Sequence, residues 1–159
     1  MSRTLRVLGV DPGSRKTGWG VVDGGRGRMR GVAAGVITLK ADAPLADRLE
    51  VVYDSLDALI DEHRPSAVAV EEVFYAKYPN AAIKLGHVRG VVLLLVAKRG
   101  LGLGEYAPAL VKRTVAGRGA ADKRQVARMV ASMLGFEQKL GADATDALAV
   151  AMTHLIARP

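Results

Sequence analysis

"VLGVDPGSRKTGWGVV", residues 7–22, contains two apolar runs separated by an acid and a turn. Residues 7–10 are apolar and end on Asp11. Pro12, Gly13 and Ser14 are turn formers, each for its own backbone reason, and a second apolar run starts near Trp19. The pattern reads as a buried strand over 5–10, a tight turn, and a second strand over 18–24. A Gly-rich turn, "GGRGR" at 24–28, leads to a third apolar run over 30–40. Three strands joined by short turns predict an antiparallel meander.

Beyond the meander the apolar period changes. Leu45, Leu49, Val52, Leu56 and Ile60 recur at three- and four-residue steps, which predicts an amphipathic helix over 44–63. Pro65 ends it, and "SAVAVEEV" at 66–73 is a short strand closing on acid. A long apolar helix is expected over about 80–98, then a strand over 101–107. Pro108 opens a short helix that ends near 116–120. Asp122 followed by Gln125 has capping-box spacing for a helix over 123–135. The last segment, 143–157, is helical with apolar residues on nearly every side. Strands first, then strands alternating with helices, predict an α/β class with a mixed sheet.

Composition narrows the function. The 159 residues are 50% hydrophobic, enough for one ordinary domain with a single core. No window approaches about 18 uninterrupted apolar residues, so no membrane partner is expected. The N-terminus puts an acid and a turn where a signal peptide needs its apolar segment. With no cysteine, disulfides and thiolate metal sites are excluded, and a cytoplasmic location fits. Lys and Arg number 23 against 16 Asp and Glu, a formal charge of +7. Such a balance favours a polyanionic partner, because basic side chains that neutralise phosphates release counterions. Charge alone does not separate DNA from RNA or from an acidic membrane.

In so basic a chain, acids at the ends of apolar elements call for an explanation. Asp11 ends the first strand, where open α/β sheets place ligands, yet it also reads as a turn aspartate bonded to nearby amides. Glu71 and Glu72 end the fourth strand and point to opposite faces, so only one can share a site with Asp11. Asp143 and Asp146 are three apart at the start of the last helix and lie on one side of it. Helix capping accounts for Asp143 better than for Asp146. If the strands are neighbours the acids converge, and a hard divalent cation such as Mg²⁺ would relieve their repulsion. Two such ions about 3.5–4 Å apart can activate a water and stabilise the leaving oxygen of a phosphodiester.

Four blocks then stand in a familiar order: "GVDPGSRKTGWGVV" at 9–22, "AVEEVFYAKYPNAAIKLGHVRGVV" at 69–92, "EYAPALVKRTVAGRGAADKRQV" at 105–126, and "ADATDALAVAMTH" at 142–154. In order and spacing they resemble the RuvC family of bacterial Holliday junction resolvases, over nearly the whole chain. The resemblance implies a single ribonuclease H-like nuclease domain over 1–159, with a mixed central β-sheet flanked by α-helices. It implies a homodimer that makes paired, symmetric nicks in four-way junction DNA, in recombination and repair. Asp11, Glu71, Asp143 and Asp146 fall on its catalytic, metal-binding acids, holding two Mg²⁺ per site with Mn²⁺ able to substitute. Glu72 falls where relatives often carry Gln and is left outside the metal site. Phe74 matches an aromatic position that stacks on bases near the crossover, although a loop aromatic packed into the core is the competing reading. Lys112 and Lys123 match DNA-holding positions, and Arg113, Arg118 and Arg124 would extend the same patch. The bacterial branch-migration helicase complex is the further partner the family implies.

Other residues read more plainly. His63, His87 and His154 lack the pair spacing of a zinc site and are taken as structural. The helix over 80–98 is apolar on more than one face, which suits either a dimer interface or a central core helix. Three rivals remain. A phosphotransferase of the actin and sugar-kinase type would need two such domains, and no GxxxxGK[ST] is present. The others are a junction-binding protein without catalysis and a related nuclease on other branched nucleic acids.

Overall fold

The computed structural model describes residues 3–25, 27–72 and 79–157. The first three strands are β1 (Leu5–Asp11), β2 (Lys16–Gly25) and β3 (Arg28–Thr38), and they form the expected meander. Helix α1 (Leu45–His63), strand β4 (Ala67–Glu71), helix α2 (Pro79–Lys98) and strand β5 (Gly102–Tyr106) follow. Helices α3 (Pro108–Ala116), α4 (Lys123–Leu134) and α5 (Ala142–Ala157) complete the chain. The strand order is β3-β2-β1-β4-β5. β1 runs antiparallel to β2 and parallel to β4, so the sheet is mixed, as expected.

Alternation along each strand sorts the core into two layers. Leu8 and Val10 of β1, Val21 of β2, and Val68 and Val70 of β4 face Val52 and Leu56 of α1 and Val88 and Val92 of α2. Val7, Val22 and Ala69 face the other way, against Leu148, Ala149, Val150 and Met152 of α5, with α3 and α4 beyond. Helix α5 is buried from Ala144 to Thr153 except at half-buried Asp146, which explains its nearly all-round apolar sequence.

Glycine lets α5 sit so close. A Cβ at Gly9 would overlap the carbonyl oxygen of Ala147, and one at Gly18 would overlap that of Asp143. The missing side chains form a channel across β1 and β2 in which the backbone of α5 lies.

Two differences from the expectations concern extent and surroundings. β2 begins at Lys16 and β3 at Arg28, two residues earlier than their apolar runs. Ladder hydrogen bonding carries pairing past the last buried side chains, through Lys16–Thr38 and Gly25–Arg28. Helix α2 is long and apolar enough, by length and composition, to span a membrane. Here it flanks the sheet through Val88, Val92, Leu95 and Val96, and Arg89 pairs with Glu105 of β5. Its Ile83 and Leu94 remain 59% and 55% exposed, leaving an apolar outer face.

Candidate metal centre and nucleic-acid interface

Parallel pairing of β1 with β4 puts their C-terminal ends side by side. Val10 pairs with Val70, and one residue further Asp11 and Glu71 end the two strands at the same level. Both follow the Val7, Gly9 and Ala69 alternation and share the α5 side of the sheet. Glu72 lies one residue past the end of β4, and its N–H donates to the carbonyl of Tyr106 at 2.8 Å. Helix α5 supplies Asp143 and Asp146 from its first turns, and the contact between Gly18 and the Asp143 backbone sets the helix start against β2. Three separate elements therefore deliver four carboxylates to one end of the sheet.

The electrostatics show that these groups feel one another. Asp11 is pushed up to about 7, first by burial and then by the charges of Glu71, Asp146 and Asp143. Glu71 is raised by burial and by Asp146, and Asp146 by burial and by Asp143. Lys123 opposes all three shifts, and Lys112 opposes those of Glu71 and Asp146. Among the described residues no hydrogen bond or ion pair engages any of the four carboxylates. Burying unpaired like charges is unfavourable, and a cation is the partner that such a set lacks.

The two lysines are placed by local signals. Pro108 opens α3 and sets Lys112 one turn later. The capping box of α4 forms as expected, with the Gln125 N–H donating to Asp122 Oδ1 at 2.8 Å and the Asp122 N–H to Gln125 Oε1 at 3.0 Å. That fixes Lys123 as the first residue of α4. A cleft of about 240 Å³ results, lined by Glu71, Asp146, Lys112 and Lys123 above apolar Val111 and Val126. Arg113, Arg118 and Arg124 are exposed on or beside the same helices, outside that lining. Phe74 lies outside the described residues.

Do these residues fit a divalent ion? The donors are all hard oxygen, as Mg²⁺ and Mn²⁺ require. Among the described residues no three Asp, Glu, His or Cys side chains stand close enough together to hold a metal ion by themselves. Mg²⁺ does not need a closed protein cage, since it usually keeps several waters and takes one or two carboxylates plus substrate phosphate. The set fits.

His154 and His63 have partners away from this centre. His154 Nδ1 lies 2.8 Å from the Tyr106 hydroxyl, and the His63 ring lies 6.0 Å from that of Trp19. What sequence reading did not find was the glycine channel. Gly18 and Gly20 are spaced by two on β2 and Gly20 pairs with Gly9 of β1, but nothing in the sequence says which helix faces them.

Comparison with known proteins decides the family. The family model described as crossover junction endodeoxyribonuclease RuvC matches residues 7–154. The chain belongs to the RuvC family. A RuvC from Sorangium cellulosum is 50% identical over 153 residues, covering 96% of this chain and 86% of that protein. A RuvC from Paramagnetospirillum magneticum is 50% identical over 150 residues, covering 94% and 90%. Among solved structures, Thermus thermophilus RuvC in complex with a Holliday junction substrate superposes with a TM-score of 0.91 at 33% identity, covering 96% and 94%. A yeast mitochondrial Holliday junction resolvase has a TM-score of 0.67 at 13% identity over 94% and 78%, a likeness of fold alone. The ribonuclease H-like architecture implied by the RuvC resemblance is borne out. Family membership makes this chain a divalent-metal endodeoxyribonuclease.

Proposed function

We propose that this chain resolves four-way DNA junctions by paired, symmetric nicks, with Asp11, Glu71, Asp143 and Asp146 as its catalytic acids. The observation that carries the reading is the convergence of these acids from β1, β4 and α5 beside Lys112 and Lys123, in a RuvC-family chain. The four carboxylates hold two Mg²⁺ ions, with Mn²⁺ able to substitute. When bound, the ions supply activation of a water and stabilisation of the leaving 3′ oxygen. The chain's own groups do the rest. Asp11 and Glu71, fixed at strand ends, set the position of the centre on a rigid sheet. Lys112 and Lys123 neutralise approaching phosphates and oppose the burial that raises Glu71 and Asp146. The products are 5′-phosphate and 3′-hydroxyl ends.

Arg113, Arg118 and Arg124 extend the DNA contact, and Phe74 stacks on an unpaired base. A homodimer provides one centre for each of two opposed strands, and the exposed apolar face of α2, with Ile83 and Leu94, suits its interface. The enzyme works in the cytoplasm with the branch-migration helicase complex. Incubation of a labelled mobile junction with protein and Mg²⁺, followed by DNA ligase, tests the reading. Nicked duplexes that the ligase seals are expected. Binding without cleavage in Mg²⁺ or Mn²⁺ would instead make it a junction-binding protein.

A further inference from the structure

Four cations stand at the same end of β1 as the acids but belong to neither α3 nor α4. Arg15 is in the turn after Asp11, Lys16 begins β2, Lys40 follows β3, and Arg48 is in the first turn of α1. The backbone brings their segments together. Lys16 pairs with Thr38, the Leu39 N–H donates to the Arg15 carbonyl at 2.8 Å, and Arg48 Nη1 donates to the Ser14 carbonyl at 3.2 Å. Arg15, Lys16 and Lys40 are exposed.

None of the four has a carboxylate partner among the described residues, in contrast to Arg6, Arg89 and Arg99, which pair with Asp23, Glu105 and Asp61. Arg48 is half-buried and among the described residues its Nε has no hydrogen-bond partner, so a guanidinium is held partly out of water with a single backbone carbonyl there to satisfy it. Removing a charge from water without a counter-charge costs free energy. An anion arriving from outside would offset that cost.

We propose that Arg15, Lys16, Lys40 and Arg48 form a second track for the DNA phosphate backbone, flanking the acids on the side away from Lys112 and Lys123. The inference rests on the junction-cleaving reading. Four acids repel a phosphodiester, and basic groups on one flank alone would hold the strand on one side of the scissile phosphate. Cations on both flanks hold it on both sides. Arg48 ties this track to the turn that carries Asp11, so backbone binding and the position of the centre are linked through Ser14.

The test is the salt dependence of junction binding in EDTA, read by fluorescence anisotropy. Each phosphate contact contributes about 0.9 to the slope of log K against log salt. The triple variant R15Q/K16Q/K40Q is expected to bind with a slope shallower by roughly two to three, and R48Q with one shallower by about one. R28Q/R30Q, at the opposite end of β1, is the control for net charge and should leave the slope unchanged. Matching slopes for wild type and triple variant would overturn the track. So would an equal loss per charge in R28Q/R30Q, which would mean a general field. A wild type that does not bind junctions, or binds them without cleaving, would overturn the proposed function as well.

Discussion

Asp11 and Glu71 end neighbouring parallel strands on the same side of the sheet, whereas Glu72 lies one residue past the end of β4. That difference is directly measurable. Removing a group that merely orients a metal ligand costs about 10–100-fold, so Asp11→Asn and Glu71→Gln should each lower junction cleavage by more than that. Glu72→Gln should stay within about threefold, measured under single-turnover conditions. A second expectation concerns pH. Asp11 is raised from 3.8 to about 7 by burial and its acidic neighbours, so the folded protein binds a proton more tightly there than the unfolded chain. Its contribution to stability is then greatest at low pH and is lost as pH rises from about 4 through about 7. In EDTA, urea unfolding should show stability declining across that window by roughly 2–4 kcal/mol, and Asp11→Asn should flatten the decline. A like profile for the variant and wild type would show that Asp11 is not buried against its neighbours.

The start of α5 matters as much as the acids on it. Gly18 lies against the Asp143 carbonyl, and Gly9 against that of Ala147, so a methyl group at either must push the helix off the sheet. Gly9→Ala is expected to destabilise the fold by about 2–3 kcal/mol, measured by urea unfolding. Gly18→Ala should shift the helix start, lowering cleavage by about tenfold or more even where the protein remains folded. This packing also marks the limit of what the sequence shows. The meander, the period of α1, the capping box of α4 and the buried α5 were legible because each is written in local spacing or turn chemistry. Strand alternation likewise separated Glu71 from Glu72 only as alternatives, and the resemblance chose between them. Which strands are neighbours is a long-range property, so convergence of the acids could not be derived from spacing. The glycine channel was unreadable for a similar reason, since a strand glycine shows its use only when its facing helix is known.

At the scale of the molecule, one end of the sheet concentrates acids between basic flanks, while α2 keeps an apolar outer face. If that face joins two copies, charge on it should separate them. Ile83→Asp with Leu94→Asp is expected to sediment as a monomer and to leave junctions singly nicked, while retaining the wild-type fold by circular dichroism. A dimer that persists would place the interface elsewhere. The central claim is that the four converging acids cut four-way DNA. Its most direct measurement is cleavage of a junction labelled on each strand in turn, beside a matched linear duplex, by wild type and Asp11→Asn in Mg²⁺. The account predicts paired nicks at symmetric positions in two opposed strands of the junction and none in the duplex, with Asp11→Asn binding the junction but leaving it intact. Cleavage that survives in Asp11→Asn, or that falls equally on the duplex, would contradict it.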